Sequence, residues 1–278
     1  MTGGPARGRL PGSLVLVGAG KMGGAMLEGW LAAGLRPEGA TVFDPHPAPD
    51  LVRLASERGF ALNPDPAAVA APEVLVLGIK PQALDEVAPG IAHLAGAATL
   101  LVSILAGKTV ADLRRALPHV QAVVRAMPNL PASIGRGATG ASAEAGATAR
   151  QREAAQALLA CNGAVEWVED EAQIDAVTAL SGSGPAYIFH LVEAMAEAGA
   201  AAGLQPALAG RLARATVVGA AALLDASPLG PAQLRENVTS KGGTTAAALD
   251  VLMAPDGLRP LMVRAVAAAK RRAGELSG

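Results

Sequence analysis

The apolar residues of this chain follow two different patterns, one in each half. The first half alternates short apolar runs with Ala-rich, helix-compatible stretches, and Gly, Pro or a polar residue bounds each run. Short buried strands that alternate with helices are typical of βαβ units and a parallel sheet. The runs predicted as strands are Leu14–Val17, Thr41–Phe43, Val74–Ile79, Thr99–Ser103, Val120–Val124 and Ala164–Val168, with one further strand expected within Gly135–Ala143.

The second half, after about Asp170, lacks strand-like runs and consists of long Ala, Leu, Glu and Arg segments. Ala186–Gly203 has apolar residues at helical spacing, and Ala215–Leu224 carries no charge on any face. A helix that is apolar all round must be buried on all sides. We therefore predict a homodimer whose helices interleave here; a central helix in a monomeric bundle is the alternative.

Composition excludes several classes of protein. Hydrophobic residues make up 51% and charged residues 17%, which is enough apolar material for a sizeable core and argues against disorder. Aromatic residues are 2% and the net charge is −1, so we expect no nucleic-acid partner and no attraction to an anionic membrane. The uncharged residues 87–107 contain Pro89, Gly90 and Gly96, which predict a helix end, a turn and a strand rather than a membrane span.

The first predicted strand runs directly into a glycine-rich turn, Gly18-Ala19-Gly20-Lys21-Met22-Gly23. In the pattern G-x-G-x-x-G between a strand and a helix, the first glycine permits the tight turn. The second lets the backbone approach a pyrophosphate, and the third lets the helix pack close to the sheet. Free amides at the positive end of the helix then hold the phosphates. This turn predicts a dinucleotide-binding domain; a merely structural glycine turn is the alternative.

Asp44 ends the second predicted strand. A carboxylate at this place usually accepts hydrogen bonds from the ribose hydroxyls of NAD and would repel the 2′-phosphate of NADP. A solvated Asp at a strand end is the alternative, so both coenzymes stay open at this point.

Three further segments carry residues that packing alone does not require. Lys80-Pro81 follows the strand-like run Val74–Ile79, and Arg125–Pro131 follows Val120–Val124, at the sheet edge where ligands gather in α/β folds. A structural loop is the alternative for each of these two segments. Val238–Thr245 places two glycines and several hydroxyl residues before a helix, which suits a small anion such as a carboxylate. An ordinary N-cap by Thr244 or Thr245 is the alternative.

Other catalytic arrangements do not stand out. The four histidines are scattered without metal-ligand spacing, so we expect no metal site. Cys161 is the one cysteine, which excludes an internal disulfide and a Cys-rich zinc site. A reducing compartment suits such a chain, and we expect it to be cytoplasmic.

At this point the sequence resembles the pyrroline-5-carboxylate reductase family over nearly all of the chain after Leu14. The strongest marks are two stretches, DAVTALSGSGPAY over Asp175–Tyr187 and LRENVTSKGGTT over Leu234–Thr245. Lys80-Pro81 and Arg125-Ala-Met-Pro-Asn129 stand in the expected order between these stretches and the glycine turn.

The resemblance implies an α/β N-terminal Rossmann domain with a mostly parallel, doubly wound sheet, and an all-α C-terminal dimerisation domain, with larger rings in many members. The expected bounds are a flexible lead-in over residues 1–12, the Rossmann domain over 13–169, and the helical substrate-binding and dimerisation domain over 170–278. It also implies reduction of (S)-1-pyrroline-5-carboxylate to L-proline with NADPH or NADH.

The resemblance further implies roles for individual residues. The loop with Ser240, Gly242, Gly243 and Thr244 would hold the carboxylate of the cyclic imino acid, and Thr245 would lie by its ring nitrogen. The coenzyme-binding residues implied by the glycine turn, the strand end and the resemblance are Gly18, Gly20, Lys21, Met22, Gly23, Asp44, Lys80, Pro81, Met127 and Asn129.

The chain departs from the family pattern at two positions. The family usually has Pro where this chain has Lys241, so we expect a looser loop with differently tuned carboxylate binding. It often has Asn where this chain has Asp65, close to the coenzyme.

Two other functions remain as alternatives. Another Rossmann imine or 3-hydroxyacid reductase would usually carry a Lys on a long helix, and residues 186–224 contain none. A non-catalytic NAD(H)-binding redox sensor would usually bring a further nucleic-acid or protein module.

Overall fold

The computed structural model describes residues 8–277. Within this part the chain forms two compact units: one comprises the residues up to Ser183 together with those from Ala269 onward, and the other is Gly184–Ala268. The expected domain boundary at residue 170 lies earlier than this division. The reason is that the segment after residue 170 packs on the sheet, where Ile174 is buried.

The first unit is built on one sheet of eight strands in the order β3-β2-β1-β4-β5-β6-β7-β8. All neighbours are parallel except β6 and β7, which are antiparallel. The first six strands follow the order of dinucleotide-binding folds. The strands are β1 Leu14–Val17, β2 Ala40–Phe43, β3 Ala61–Leu62, β4 Val74–Leu77, β5 Leu100–Ser103, β6 Ala122–Met127, β7 Gly137–Ala143 and β8 Gly163–Trp167.

Helices cover the sheet in the first unit and make up the second. They are α1 Lys21–Ala32, α2 Pro49–Arg58, α3 Leu84–Ile91, α4 Val110–Ala116, α5 Ala149–Leu159, α6 Ile174–Val177, α7 Gly184–Ala201, α8 Pro206–Ala226, α9 Pro231–Asn237, α10 Thr244–Leu252 and α11 Leu258–Ser277. A π-helical turn, Thr178–Gly182, follows α6.

The central strands β1, β4 and β5 are buried on both faces, as a doubly wound fold requires. Alternate residues of β1 point to opposite sides, so Leu16 packs in one cluster and Val17 in the other. The first cluster contains Trp30 of α1, whose indole nitrogen donates to the carbonyl of Leu158 on α5 at 2.9 Å. The second cluster contains α3 and α4 side chains such as Leu113. The predicted Rossmann architecture is confirmed.

The predicted strands all occur, and Gly135–Ala143 does contain a strand, β7. Residues 87–107 form the end of α3, a short 3₁₀ turn and β5, as expected. Of the predicted N-terminal lead-in, residues 1–7 lie outside the described residues. Its last residues are packed rather than flexible, because Pro11 is buried and the Gly12 amide donates to Glu73 Oε2 at 2.9 Å.

The second unit has little core of its own. The helices α7 and α8 pack closely, since a Cβ at Gly199 would lie 3.2 Å from the Cβ of Ala209. Yet α7, α9 and α10, each described over its full length, contain no buried residue. Among the described residues, α8 is long and apolar enough to cross a membrane by length and composition. Several of its large apolar side chains are exposed to solvent in the single chain; Val218, for example, is 62% exposed.

Candidate active site

The strand order brings three chain segments to one edge of the sheet. β1 lies between β2 and β4, which is the topological switch point where α/β folds bind ligands. The Gly18 amide donates to the Phe43 carbonyl, and the Gly78 amide donates to the Val17 carbonyl, both at 2.8 Å. The glycine turn, the end of β2 and the segment before Lys80 are therefore neighbours.

The glycine turn has the shape that a pyrophosphate needs. Gly18 has φ +89°, and a Cβ there would lie 2.6 Å from the amide nitrogen of Ile79. A Cβ at Gly23 would overlap the Gly18 carbonyl oxygen. At Gly20, by contrast, a Cβ would meet no protein atom within 4 Å. The turn is thus crowded where it packs on the protein and open at Gly20.

The start of α1 is free to bind an anion. Gly20 is its N-cap and supplies no capping side chain, so the first amides of the helix lack a side-chain acceptor. Lys21 and Met22 occupy the first turn, Lys21 exposed and Met22 half-buried. A dinucleotide pyrophosphate fits this cradle.

Asp44 lies directly beside the turn. Its Oδ2 accepts from the Ala19 amide and its Oδ1 from the His46 amide, both at 2.9 Å. A cleft of about 370 Å³ opens here, with Asp44, Lys21 and Gly20 in its wall. Lys80 is exposed at the N-cap of a 3₁₀ turn that begins with Pro81.

The residues at the end of β6 and just after it have side chains that bond to or pack against other parts of the first unit. Asn129 is buried; its Nδ2 donates to the Ser181 carbonyl at 3.0 Å and its Oδ1 accepts from the Ala138 amide at 2.9 Å. Met127 is half-buried against the π-helical turn, where a Cβ at Gly182 would lie 3.1 Å from its Cε. Asn129 therefore connects β6, β7 and the π-helical turn through its side chain.

A cluster of charged side chains around Arg125 of β6 was not predicted from the sequence. Arg125 is 4% exposed; its guanidinium lies 3.1 Å from Glu171 Oε1 and 3.8 Å from Asp175 Oδ1. Glu171 Oε1 also accepts from the amide of Val110, at the start of α4, at 2.7 Å. The sequence did contain an indication of this cluster. Arg125 is a single charge inside the apolar run of β6, and a buried charge requires a counter-charge.

The second unit presents a turn before α10. The Gly243 amide donates to the Ser240 carbonyl at 3.0 Å, and Gly242 has φ +71°, a conformation that favours glycine. Gly243 is the N-cap of α10 and no side chain caps this helix, so neither Thr244 nor Thr245 serves as the ordinary cap weighed above. The amide of Gly243, expected to bind a carboxylate, is instead used within the turn.

The predicted residues therefore fall into two groups. Gly18, Gly20, Lys21, Met22, Gly23, Asp44, Lys80, Pro81, Met127 and Asn129 belong to the first unit, at the carboxyl ends of its strands. Ser240, Gly242, Gly243, Thr244 and Thr245 belong to the second unit, around one turn and the start of α10.

Two further features of the chain lie outside these two groups. Among residues 8–277, no group of three or more His, Cys, Asp or Glu side chains is placed to hold a metal ion. A larger cleft of about 800 Å³ lies between residues 71–74 and 96–100, near the amino ends of the strands, and contains none of the predicted site residues.

Comparison with known proteins matches both units. The sequence model described as "Pyrroline-5-carboxylate reductase dimerisation" matches residues 171–276, and the model described as "NADP oxidoreductase coenzyme F420-dependent" matches residues 13–107. A pyrroline-5-carboxylate reductase from Pseudomonas aeruginosa is 41% identical, over 95% of this chain and 96% of the relative.

Solved structures agree with this result. A pyrroline-5-carboxylate reductase from Coxiella burnetii has a TM-score of 0.89 at 33% identity, covering 97% of this chain and 100% of that one. A pyrroline carboxylate reductase from Plasmodium falciparum, solved with NADP bound, shares the fold with a TM-score of 0.79 at 24% identity, covering 96% and 98% of the two chains. With a relative this similar over nearly its whole length, the chain belongs to the pyrroline-5-carboxylate reductase family.

Proposed function

We propose that this chain reduces (S)-1-pyrroline-5-carboxylate to L-proline with NADPH or NADH, the last step of proline biosynthesis. The observation that carries the proposal is the glycine turn, open only at Gly20, at the switch point of a Rossmann sheet in a chain of this family. When bound, the coenzyme supplies the hydride. The protein contributes position and electrostatics.

The residues of the first unit would hold the coenzyme. The free amides at the start of α1 suit the pyrophosphate, with Lys21 as an exposed positive charge in the same turn. Lys80-Pro81 and Met127 stand at the same sheet edge, where they would line the nicotinamide end. Asn129 makes two hydrogen bonds within the protein, so we assign it the role of holding the Met127 segment in place.

The turn of the second unit would hold the substrate carboxylate. The amides of Gly242, Thr244 and Thr245 are unpaired among the described residues, and they lie at the positive end of α10. We assign Gly243 a shaping role, since its amide closes the turn on Ser240. The hydroxyl of Thr245 would hydrogen-bond the ring nitrogen and orient the imine. The proton on that nitrogen would arrive with the substrate or through water.

The test is oxidation of NADPH or NADH with pyrroline-5-carboxylate, beside piperideine carboxylate as a competing cyclic imine. We expect turnover, with pyrroline-5-carboxylate the better substrate by kcat/KM. Faster turnover of the six-membered ring would indicate another imine reductase. Coenzyme binding without turnover of either imine would overturn the proposal in favour of a redox sensor.

We further infer a homodimer through the C-terminal helices, in the cytoplasm, whose reducing conditions suit a chain with a single cysteine, Cys161, that forms no disulfide. The support is the exposed apolar surface of the second unit, including Phe189 at 57% and Val218 at 62% exposure, since many large apolar side chains exposed on one unit mark an interaction surface. A second copy of the same surface would cover it.

Light scattering after size exclusion tests the dimer. Val218→Glu on α8 should shift the protein toward monomer, because it buries an unpaired charge in the interface. Val52→Glu is the matched control, since Val52 is 48% exposed on α2 of the first unit. An unchanged mass for Val218→Glu would contradict this interface, and a mass above the dimer would indicate a larger ring.

A further inference from the structure

We propose that Asp44, fixed in position by Asn63, makes this chain select NADH over NADPH. The inference rests on the proposed function in one respect, that the coenzyme occupies the glycine cradle. It assigns Asn63 a role in coenzyme selection that its position at a loop start does not suggest.

Asn63 extends the sheet beyond the end of β3. Its own amide donates to the Val42 carbonyl at 2.8 Å, which continues the ladder between β2 and β3. The next residue, Pro64, has no N–H and cannot make the following bond. The Asn63 side chain replaces it: Nδ2 donates to the Asp44 carbonyl and Oδ1 accepts from the Asp44 amide, each at 2.8 Å. Both backbone groups of Asp44 are thereby fixed.

The conformation of Asn63 fits this role. It has φ +49°, and it is the one non-glycine residue among those described with positive φ. Asn tolerates this region better than most residues because its short polar side chain bonds to nearby backbone. Here that side chain bonds to Asp44 instead of to its own loop.

The carboxylate of Asp44 is fixed as well as its backbone. One oxygen accepts from Ala19 in the glycine turn and the other from His46, so the group cannot rotate away without losing a bond. Each oxygen still has a free lone pair. The carboxylate can therefore accept the two ribose hydroxyls of NADH while it stays bound to the turn.

The surrounding charges add to this preference. The cleft beside Asp44 is also lined by Glu28 and Asp50, against one lysine, Lys21. The nearby guanidinium of Arg53 lies 3.0 Å from Asp50 and 3.7 Å from Glu57, two carboxylates of its own helix. A 2′-phosphate would bring two negative charges to a predominantly negative wall.

The experiment measures both coenzymes in two ways: kcat/KM in the imine assay, and Kd by nicotinamide fluorescence titration without imine. For the natural chain we expect NADH to be favoured at least tenfold in both. Asp44→Ser should reduce that ratio at least tenfold, mainly by tighter NADPH binding. Asn63→Gly keeps the positive φ and removes the amide, so it should reduce the ratio at least threefold.

Glu153→Gln is the control, because it removes the same charge from an exposed position on α5 outside the cleft, and its ratio should stay within twofold. Asp44→Asn, which keeps an acceptor for Ala19, replaces Asp44→Ser if thermal unfolding shows that the latter misfolds. Equal or tighter binding of NADPH by the natural chain, or a ratio unchanged within twofold in the Asp44 variants, would overturn the inference. A Kd ratio that favours NADH in a protein without imine turnover would sustain it while removing the proposed substrate.

Discussion

The glycine turn contains two positions at which the same substitution should have different effects. A Cβ at Gly20 would meet no protein atom within 4 Å, whereas at Gly23 it would overlap the Gly18 carbonyl. Gly20 has φ −64° and ψ −164°, extended backbone that alanine adopts. Gly20→Ala therefore probes the space for the coenzyme, and Gly23→Ala probes the packing of α1 on the turn.

The magnitudes follow from these surroundings. Gly20→Ala should change the free energy of unfolding by no more than about 0.5 kcal/mol, as for an unpacked surface position. If its methyl group displaces the pyrophosphate from one amide, the loss is about 1.5–3 kcal/mol, since hydrogen bonds to charged groups have this strength. That loss raises the Kd of the coenzyme about 10- to 160-fold. Gly23→Ala should destabilise the fold by about 1–3 kcal/mol through overpacking.

Two measurements separate the variants: thermal unfolding of the free protein, and nicotinamide fluorescence titration for the Kd. Gly20→Ala should unfold with the natural chain and bind weakly. Gly23→Ala should unfold at a lower temperature, by about 2–4 °C for each kcal/mol in a domain of this size. Normal coenzyme binding by a stable Gly20→Ala variant would refute the position of the pyrophosphate, and a fully stable Gly23→Ala would refute the crowding.

Three further predictions concern other parts of the chain. Thr245→Ala should lower kcat/KM about 10- to 100-fold without changing the unfolding temperature, because it removes one interaction with the reacting ring; unchanged kinetics would exclude Thr245 from the mechanism. Lys241→Pro should stabilise the protein by about 0.4–1 kcal/mol and lower the KM for the imine, because Lys241 occupies the second position of a turn whose third, Gly242, has positive φ. A higher KM would show that the lysine charge attracts the substrate. The pKa of Asp112 is below its ordinary value: burial raises it, but hydrogen bonds from Thr109 and the charge of Arg115 outweigh burial. The ionised carboxylate of Asp112 therefore adds to the free energy of unfolding above pH 4, and this contribution is lost as the pH falls below about 3.8. The difference in the free energy of unfolding between the natural chain and Asp112→Asn, measured in urea, should shrink from pH 5 to pH 2. A constant difference would contradict this.

The sheet was predictable from the sequence because its strands are short, apolar and bounded by breakers. The residues of β1 and β4 are buried throughout, so nothing interrupts the pattern. β3 was not predicted because it has only two residues and neither of them is buried. The antiparallel direction of β7 was equally hidden, since a strand of small residues such as Gly137–Ala143 has the same composition in either direction.

The candidate site was predictable only where it is local. The glycine turn and the turn before α10 are contiguous in sequence, and each carries its own chemistry. The contacts of Asp44 with Asn63, and of Arg125 with Glu171, join residues far apart in the chain. The hydrophobic periodicity of the sequence does not predict such pairs. Each pair depends on which segments become neighbours once the sheet has formed.

The fully buried Trp30 has a practical consequence for spectroscopy. The chain has two tryptophans, Trp30 and Trp167, and both lie in the first unit. Tryptophan emission, excited selectively so that Tyr187 on α7 does not contribute, will therefore follow the unfolding of the first unit, whereas far-ultraviolet ellipticity also reports the long helices α7 and α8. Superimposable transitions from the two signals would mean that sheet and helices unfold as one cooperative system, and separated transitions would resolve the order in which they unfold.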